Sequence, residues 1–319
     1  MKKSDIIFIA GHKGLVGSAI YEKLINEGYK NLLVADRNKL DLRDFRIVKE
    51  FFKNKKIDYM VMCAAKAGGI MANSFNQKDF FLENIEIQNS LLKLALDKNI
   101  KRTIFLGTSC IYPKFSKTPI REEYLLSGKL EKTNQCYAIA KIAGIKLSEA
   151  LFEDFKKDIV CLMPTNVYGI NDNFDKFSGH VIPAMISKFI EAKKKNYKQI
   201  NLLGTGRPLR EFIHSNDLAN AILQCLRLPK SKFKKIFNKT LPILNVGTGE
   251  NISISKLSKL ISKLVHYEGK IFFDKKYPDG TFKKNLISKK INSLGWKPQI
   301  KLYDGLREII DKKAKLNGF

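Results

Sequence analysis

Two side chains in the stretch "CYAIAKIAGIK" have the types and spacing for proton chemistry. Tyr137 and Lys141 stand four residues apart in a segment with helical periodicity, which puts both on one face. A phenol with a pKa near ~10 is a poor acid or base at neutral pH, and a lysine ammonium beside it lowers that value. Upstream, "LGTSCIYPK" closes a strand-like apolar run with Thr108, whose hydroxyl can hydrogen-bond the same carbonyl oxygen that the tyrosine protonates. Cys110 follows two residues later, and that chemistry has no use for a thiol. Read alone, a cysteine at a strand end is a small buried hydrophobe. To serve as a base, a thiol with an ordinary pKa near ~8.5 needs electropositive help, for which Lys141 and His180 are the candidates. His180 in "SGHVIPAM" begins a helical segment after a polar loop, so by itself it also reads as a capping or surface histidine.

A second constellation lies at the start of the chain. "IFIAGHKGLVGSAI" sets Gly11, Gly14 and Gly17 directly after a strand and at the opening of a helix. Glycines so placed permit a tight turn, a close approach to a pyrophosphate, and close helix packing, while the helix N-terminus offers free N–H groups. The loop from Gly11 through His12, Lys13, Gly14, Leu15 and Val16 to Gly17 is therefore the expected cofactor cradle. The second strand ends "VADRNKLDLRD". A carboxylate in that place holds the ribose 2′-OH of NAD, and a cation holds the 2′-phosphate of NADP. Arg37 together with Lys13 favours NADP(H), while Asp36 keeps NAD open.

Short apolar runs alternate with longer amphipathic stretches through the first two thirds of the chain. Strands are predicted at 5–10, 31–35, 58–65, 102–108 and 158–163, and helices at 15–28, 44–54, 76–98 and 137–156. That alternation predicts an α/β fold with a Rossmann-type, doubly wound parallel sheet. After residue 165 the texture becomes rich in turn formers, which predicts a smaller C-terminal α/β lobe. Residues 1–165 are the expected cofactor domain and 166–319 the substrate-binding lobe. The two interleave, because "EFIHSNDLANAILQCLRL" and "LPILNVGTGE", within 211–250, read as a helix and a strand returning to the main sheet.

Composition narrows the partners. The chain has 58 Lys plus Arg against 31 Asp plus Glu, a formal charge of +27. The lysines are scattered along helix faces without an aromatic RNA-binding motif or finger spacing, so a solvated basic surface that attracts small polyanions is expected, not a nucleic-acid partner. No apolar run reaches the roughly 18 residues of a membrane span, and the start does not continue as a signal peptide. The 5 cysteines are odd in number and lack CxxC spacing, which argues against disulfides and zinc and for a reducing, cytoplasmic setting. The His12, His214 and His266 positions show no metal-ligand spacing, and no metal is expected.

Taken together the motifs resemble the extended short-chain dehydrogenase/reductase family, and within it the GDP-L-fucose synthase branch. "IFIAGHKGLVGSAI", "AAKAGGI", "FLGTSCIYPK", "CYAIAKIAGIK", "MPTNVYG", "HVIPA", "REFIH", "NVGTG" and "PDGT" carry the resemblance nearly end to end. "SCIYPK" and "HVIPA" are the most diagnostic, because they separate this branch from dehydratases and galactose epimerases of the same fold. The resemblance implies an NADP(H)-dependent enzyme that inverts C3 and C5 of GDP-4-keto-6-deoxy-D-mannose and then reduces C4, acting as a homodimer built on a helical face. It makes Cys110 the base and His180 the acid on the other side of the ring, with Tyr137, Lys141 and Thr108 serving the reduction. It places Leu106, Gly107, Thr108, Lys141, Pro164, Asn166, Val167 and His180 against the cofactor, and Lys188, Arg210 and Asp279 against the nucleotide end of a GDP-linked 4-keto-6-deoxy sugar. Three residues depart from the pattern: Thr108 where serine is usual, Lys188 where arginine is common, and Asp36 just before Arg37. The competing enzyme reading is a C4 reductase of a related GDP-heptose. A dinucleotide-sensing protein of the same fold would have no need of Tyr137 and Lys141.

Overall fold

In the computed structural model, which describes residues 1–237, 240–277 and 279–317, the first half of the chain alternates strand and helix. The elements run β1 (Ile7–Ala10), α1 (Leu15–Asn26), β2 (Leu32–Leu33), α2 (Phe45–Phe52), β3 (Tyr59–Met62), α3 (Ile70–Phe75), α4 (Gln77–Asp97), β4 (Arg102–Leu106), α5 (Gln135–Phe155) and β5 (Ile159–Pro164). β1, β3, β4 and β5 are buried at every position. Helices cover both faces of a parallel sheet, so its inner strands must be apolar throughout and not alternate, which is why these runs were legible. β2 is only half-buried and holds two residues of the 31–35 run. The expected 58–65 and 102–108 strands stop at Met62 and Leu106, and the residues beyond turn out of the sheet. The short helix α3, opening after Gly69, has no counterpart among the expected elements.

The second half continues with β6 (Asn166–Tyr168), α6 (Val181–Lys194), β7 (Gln199–Leu203), β8 (Leu209–Arg210), β9 (Phe212–His214), α7 (Ser215–Arg227), α8 (Lys230–Phe237) and β10 (Ile243–Val246). It closes with β11 (Ile252–Ser253), α9 (Ile254–Val265), β12 (Lys270–Asp274), β13 (Lys283–Lys284), α10 (Lys289–Ser293) and α11 (Leu302–Asn317). The main sheet has six strands in the order β10-β5-β4-β3-β1-β2, all parallel. Strand order reverses at β1, and in such sheets the crevice beyond the strand C-termini at this switch point receives the ligand. One apolar core joins β1 and α1 to α7 and Trp296, and a second lies under α2, α4 and α5. A third core, around Ile186, Phe189, Leu257, Ile261 and Ile309, belongs to the smaller lobe. Among the described residues no helix is long and apolar enough to cross a membrane.

The end of the sheet away from the crevice is fastened by a buried cation. Arg102, 3% exposed at the first position of β4, pairs with Asp158 at 2.9 Å and donates to the carbonyls of Cys225 and Leu228 at 2.6 and 2.5 Å. Its guanidinium also lies 4.5 Å from the centre of the Phe233 ring. One side chain thus ties β4, the approach to β5, and the end of α7. Removing one partner of a buried pair leaves the other charge uncompensated, at about 3–5 kcal/mol. Arg102→Ala should therefore lower the unfolding free energy read from urea denaturation by up to about that amount, Lys230 at 3.7 Å still facing Asp158, while the protein that remains folded keeps its turnover; an unchanged unfolding free energy would refute the anchoring role.

Candidate active site

The crevice is a cavity of about 620 Å³ reached by loops from both lobes. Of the residues singled out from sequence, Gly14, Leu15, Val16, Gly17, Leu106, Gly107, Thr108, Cys110, Tyr137, Lys141, Pro164, Asn166, Val167, His180, Lys188, Arg210 and Asp279 all line it. Gly11, His12, Lys13 and Arg37 do not; they lie in the turns that follow β1 and β2.

The glycine loop fits a dinucleotide pyrophosphate. Gly11 has a φ of +82°, and a Cβ at Gly17 would come within 2.0 Å of the Gly11 carbonyl oxygen. Only glycine permits that contact, and it draws the start of α1 against the turn. Gly14 is the N-cap of α1, so the N–H groups of Leu15, Val16 and Gly17 open into the cavity without intrahelical acceptors. Lys13 pairs with Asp36 at 2.7 Å, and His12 approaches the same carboxylate at 3.5 Å. The Lys13 hydrogen bond holds the Asp36 carboxyl below its ordinary range. Lys13 therefore offsets the Asp36 carboxylate. Arg37 is the exposed cation beside it, 3.3 Å from Glu83.

Thr108 caps a single 3-10 turn, Ser109–Ile111, its hydroxyl accepting the Cys110 N–H at 3.2 Å. This leaves the Thr108 proton available to an acceptor in the cavity. Tyr137 and Lys141 share a face of α5, as their spacing required, but their electrostatics differ from the expectation. The Lys141 ammonium, 5% exposed, donates to the Leu106 carbonyl at 2.9 Å. Burial dominates both groups: it raises the Tyr137 phenol above its ordinary value and lowers Lys141 to about 8. The phenol is accordingly held as a neutral proton donor. Cys63 lines the same cavity, and burial pushes its thiol up to about 12.

Cys110 does receive cationic company, from residues other than those expected. Lys284 on β13 points its Nζ at the Cys110 Sγ, 3.4 Å away, and Arg210 lies close enough for the sulfur to act on it electrostatically. β13 and β8 pair in parallel with Lys284 opposite Arg210, so the two cations enter the cavity side by side. Sequence spacing had no means of finding Lys284, which is 174 residues from the thiol in one of the commonest residue types of the chain. His180 arrives from the smaller lobe as the N-cap of α6, without a capping hydrogen bond from its side chain, and its Nδ1 lies 3.5 Å from Asp172.

The nucleotide end is organised by a second set of contacts. Arg210 donates to the backbone carbonyls of Leu209 at 2.9 Å and Asp279 at 3.1 Å. The Asp279 carboxylate accepts from the N–H and hydroxyl of Thr205, each at 2.7 Å. It therefore fastens Asp279, which also lines the cavity, to the turn after β7. Pro278 of that motif lies outside the described residues. Lys188 reaches the cavity from α6, and burial lowers its ammonium. His214, expected as scaffold around Arg210, is buried as the N-cap of α7, accepting the Asn216 N–H.

Comparison with known proteins agrees with this geometry. The chain is 43% identical to GDP-L-fucose synthase 1 of Arabidopsis thaliana, covering 97% of this chain and 93% of that one. It is 42% identical to the GDP-L-fucose synthase of Escherichia coli, covering 94% of each. Among solved structures it superimposes with a TM-score of 0.86, at 31% identity, on a GDP-mannoheptose C4 reductase of Campylobacter jejuni with NADP bound, covering 98% of this chain and 99% of that one. Residues 7–240 match the NAD dependent epimerase/dehydratase family. The parallel sheet, the glycine cradle and the Thr108, Tyr137 and Lys141 cluster thus stand together in a chain that belongs to the NAD dependent epimerase/dehydratase family.

Proposed function

We propose that this enzyme inverts C3 and C5 of GDP-4-keto-6-deoxy-D-mannose and reduces C4 with NADPH, giving GDP-L-fucose. The observation that carries the reading is the meeting of Cys110 and His180 with Thr108 and Tyr137 in one cavity. A reductase alone needs the hydroxyl pair; a thiol and an imidazole supply the further acid and base that inversion requires. The relatives at 42% and 43% identity support the same substrate. The NADP-bound relative, together with Arg37 exposed in the turn beyond β2, supports NADP(H).

The chemistry follows from the ketone. A carbonyl at C4 acidifies the hydrogens at C3 and C5. Cys110 takes such a proton on one side, and Thr108 and Tyr137 hydrogen-bond the oxygen as it becomes an enolate. His180 returns a proton from the other side, which inverts the centre. The bound nicotinamide supplies the hydride that reduces C4. Tyr137, kept neutral by burial, gives O4 its proton. Arg210 and Lys188 hold the diphosphate, for which charge-assisted contacts are the physical reason. Residues 1–165, with the return segments within 211–250, bind the cofactor, and the rest of 166–319 binds the sugar nucleotide. The protein works in the cytoplasm as a homodimer packed on α4 and α5; its free thiols and the exposed Leu82 and Ile139 support this assignment.

The likeness to a GDP-mannoheptose C4 reductase favours one second reading, reduction of a related GDP-4-keto sugar without inversion. Incubation with the keto sugar in deuterium oxide separates the two: label at C3 and C5 is expected, and its absence would exclude epimerisation. Cys110→Ser should largely stop that labelling while hydride transfer to an already inverted ketone survives, whereas Tyr137→Phe should impair both. Equal effects of the two variants would sink this division of labour. Arg37→Ala should raise KM for NADPH by about 10-fold or more, the worth of a charge-assisted contact, and leave KM for NADH nearly unchanged; a parallel rise for both cofactors would remove Arg37 from the phosphate site.

A further inference from the structure

We propose that Lys284 is the positioning residue for the base of the inversion step: its ammonium holds the Cys110 sulfur as a thiolate aimed into the cavity. The proposal rests on the assignment of Cys110 as base and adds the group that makes that assignment chemically workable. Four observations carry it. The Lys284 Nζ lies 3.4 Å from Sγ, within the range of an N–H donor to sulfur, and among the described residues Sγ is its one partner. The backbone that carries Lys284 is fixed by three hydrogen bonds at the residues that follow it. Leu286 donates its N–H to the buried Glu211 carboxylate at 2.8 Å, Ile120 donates to the Asn285 carbonyl at 2.8 Å, and Ile287 donates to the Ile120 carbonyl at 2.8 Å.

The sulfur is fixed from its own side. Thr108 caps the turn that carries Cys110. Tyr112, two residues on, donates its hydroxyl to the Asn245 side chain at 2.6 Å, and Asn245 in turn donates to the Ile120 carbonyl at 3.1 Å. Ile120 therefore joins the thiol's loop and the lysine's strand in one hydrogen-bonded frame. The neighbouring cation is otherwise engaged: the Arg210 guanidinium is tied to the carbonyls of Leu209 and Asp279.

Other charged and titratable groups face the same space. Arg210 and Lys284 come from β8 and β13, Tyr137 from α5, His180 from α6, and Glu131 from the loop before α5, where Lys114 pairs with it at 2.9 Å. Among the described residues, Lys284 is the one that hydrogen-bonds the sulfur. A thiolate is the form of cysteine that accepts a proton, and an adjacent ammonium favours it. In the inversion step the C–H bond breaks, its proton moves to sulfur, and the electron pair passes to the ketone oxygen as the enolate. The ammonium keeps its own proton throughout and offsets the negative charge before transfer.

The test separates this pairing from the epimerase reading. In the holoenzyme with NADP, alkylation of Cys110 by iodoacetamide, followed by peptide mass spectrometry, is measured against pH for the wild type, Lys284→Met and Lys284→Arg. Lys284→Met should move the midpoint up by about one pH unit or more, weaken the ultraviolet thiolate band at neutral pH, and slow deuterium entry at C3 and C5. Hydride transfer to a pre-inverted ketone should persist, and Lys284→Arg should restore much of the wild-type profile. An alkylation profile identical in wild type and Lys284→Met would overturn the pairing whatever the catalysis does. A shifted profile in an enzyme whose wild type incorporates no deuterium would uphold the pairing and overturn the epimerase assignment instead.

Discussion

One buried carboxylate holds the cavity's distant parts in register. Glu211 is fully buried between β8 and β9, and its side chain accepts the N–H groups of Gly249 at 2.6 Å and Leu286 at 2.8 Å. Its own carbonyl accepts from Thr165 and Asn166 at 3.0 and 2.8 Å. Four chain segments, those after β5, β10 and β13 and the one bearing Arg210, thereby meet at a single residue. A buried charge of this kind is costly and survives only when its oxygens are satisfied. Burial raises its carboxyl above the ordinary range, and the backbone donors work against that rise.

The parts of this molecule that were legible in the sequence are those with a repeating local signal. β1, β3, β4 and β5 were readable because both their faces are covered, and α2 because Val48 and Phe52 mark one buried face of the helix. The glycine cradle was readable because Gly11 and Gly17 answer a steric demand inside one turn. β8, β11 and β13 are two residues each and have no periodicity to find. Their pairing is set by the strands and loops around them, so Lys284 could be located only in three dimensions. The spacing of Tyr137 and Lys141 gave their shared face but not the direction of the ammonium, which is decided by the Leu106 carbonyl. The hold on Asp279 was out of reach for a related reason, since the turn that claims its carboxylate comes 74 residues earlier.

Charge is distributed with a similar division between local and collective effects. The formal +27 is carried mostly by exposed side chains, and pairs such as Lys23 with Glu27 or Lys195 with Glu191 contribute little each to stability. Their sum still produces a positive field, which raises the encounter rate of a dianionic sugar nucleotide and weakens with salt. Within the cavity the logic reverses: Lys141 is buried and Lys188 and Arg210 are half-buried, and desolvation disfavours the charge on each. An anionic ligand relieves that cost, so affinity and local order are coupled.

The Arg102 anchor sits at the opposite rim of the sheet from every group that touches a ligand. Rigidity is therefore supplied from one edge while specificity is written at the other. A lineage built on this plan has freedom to exchange crevice loops, and with them the sugar it accepts, without loosening the keel on which those loops are mounted.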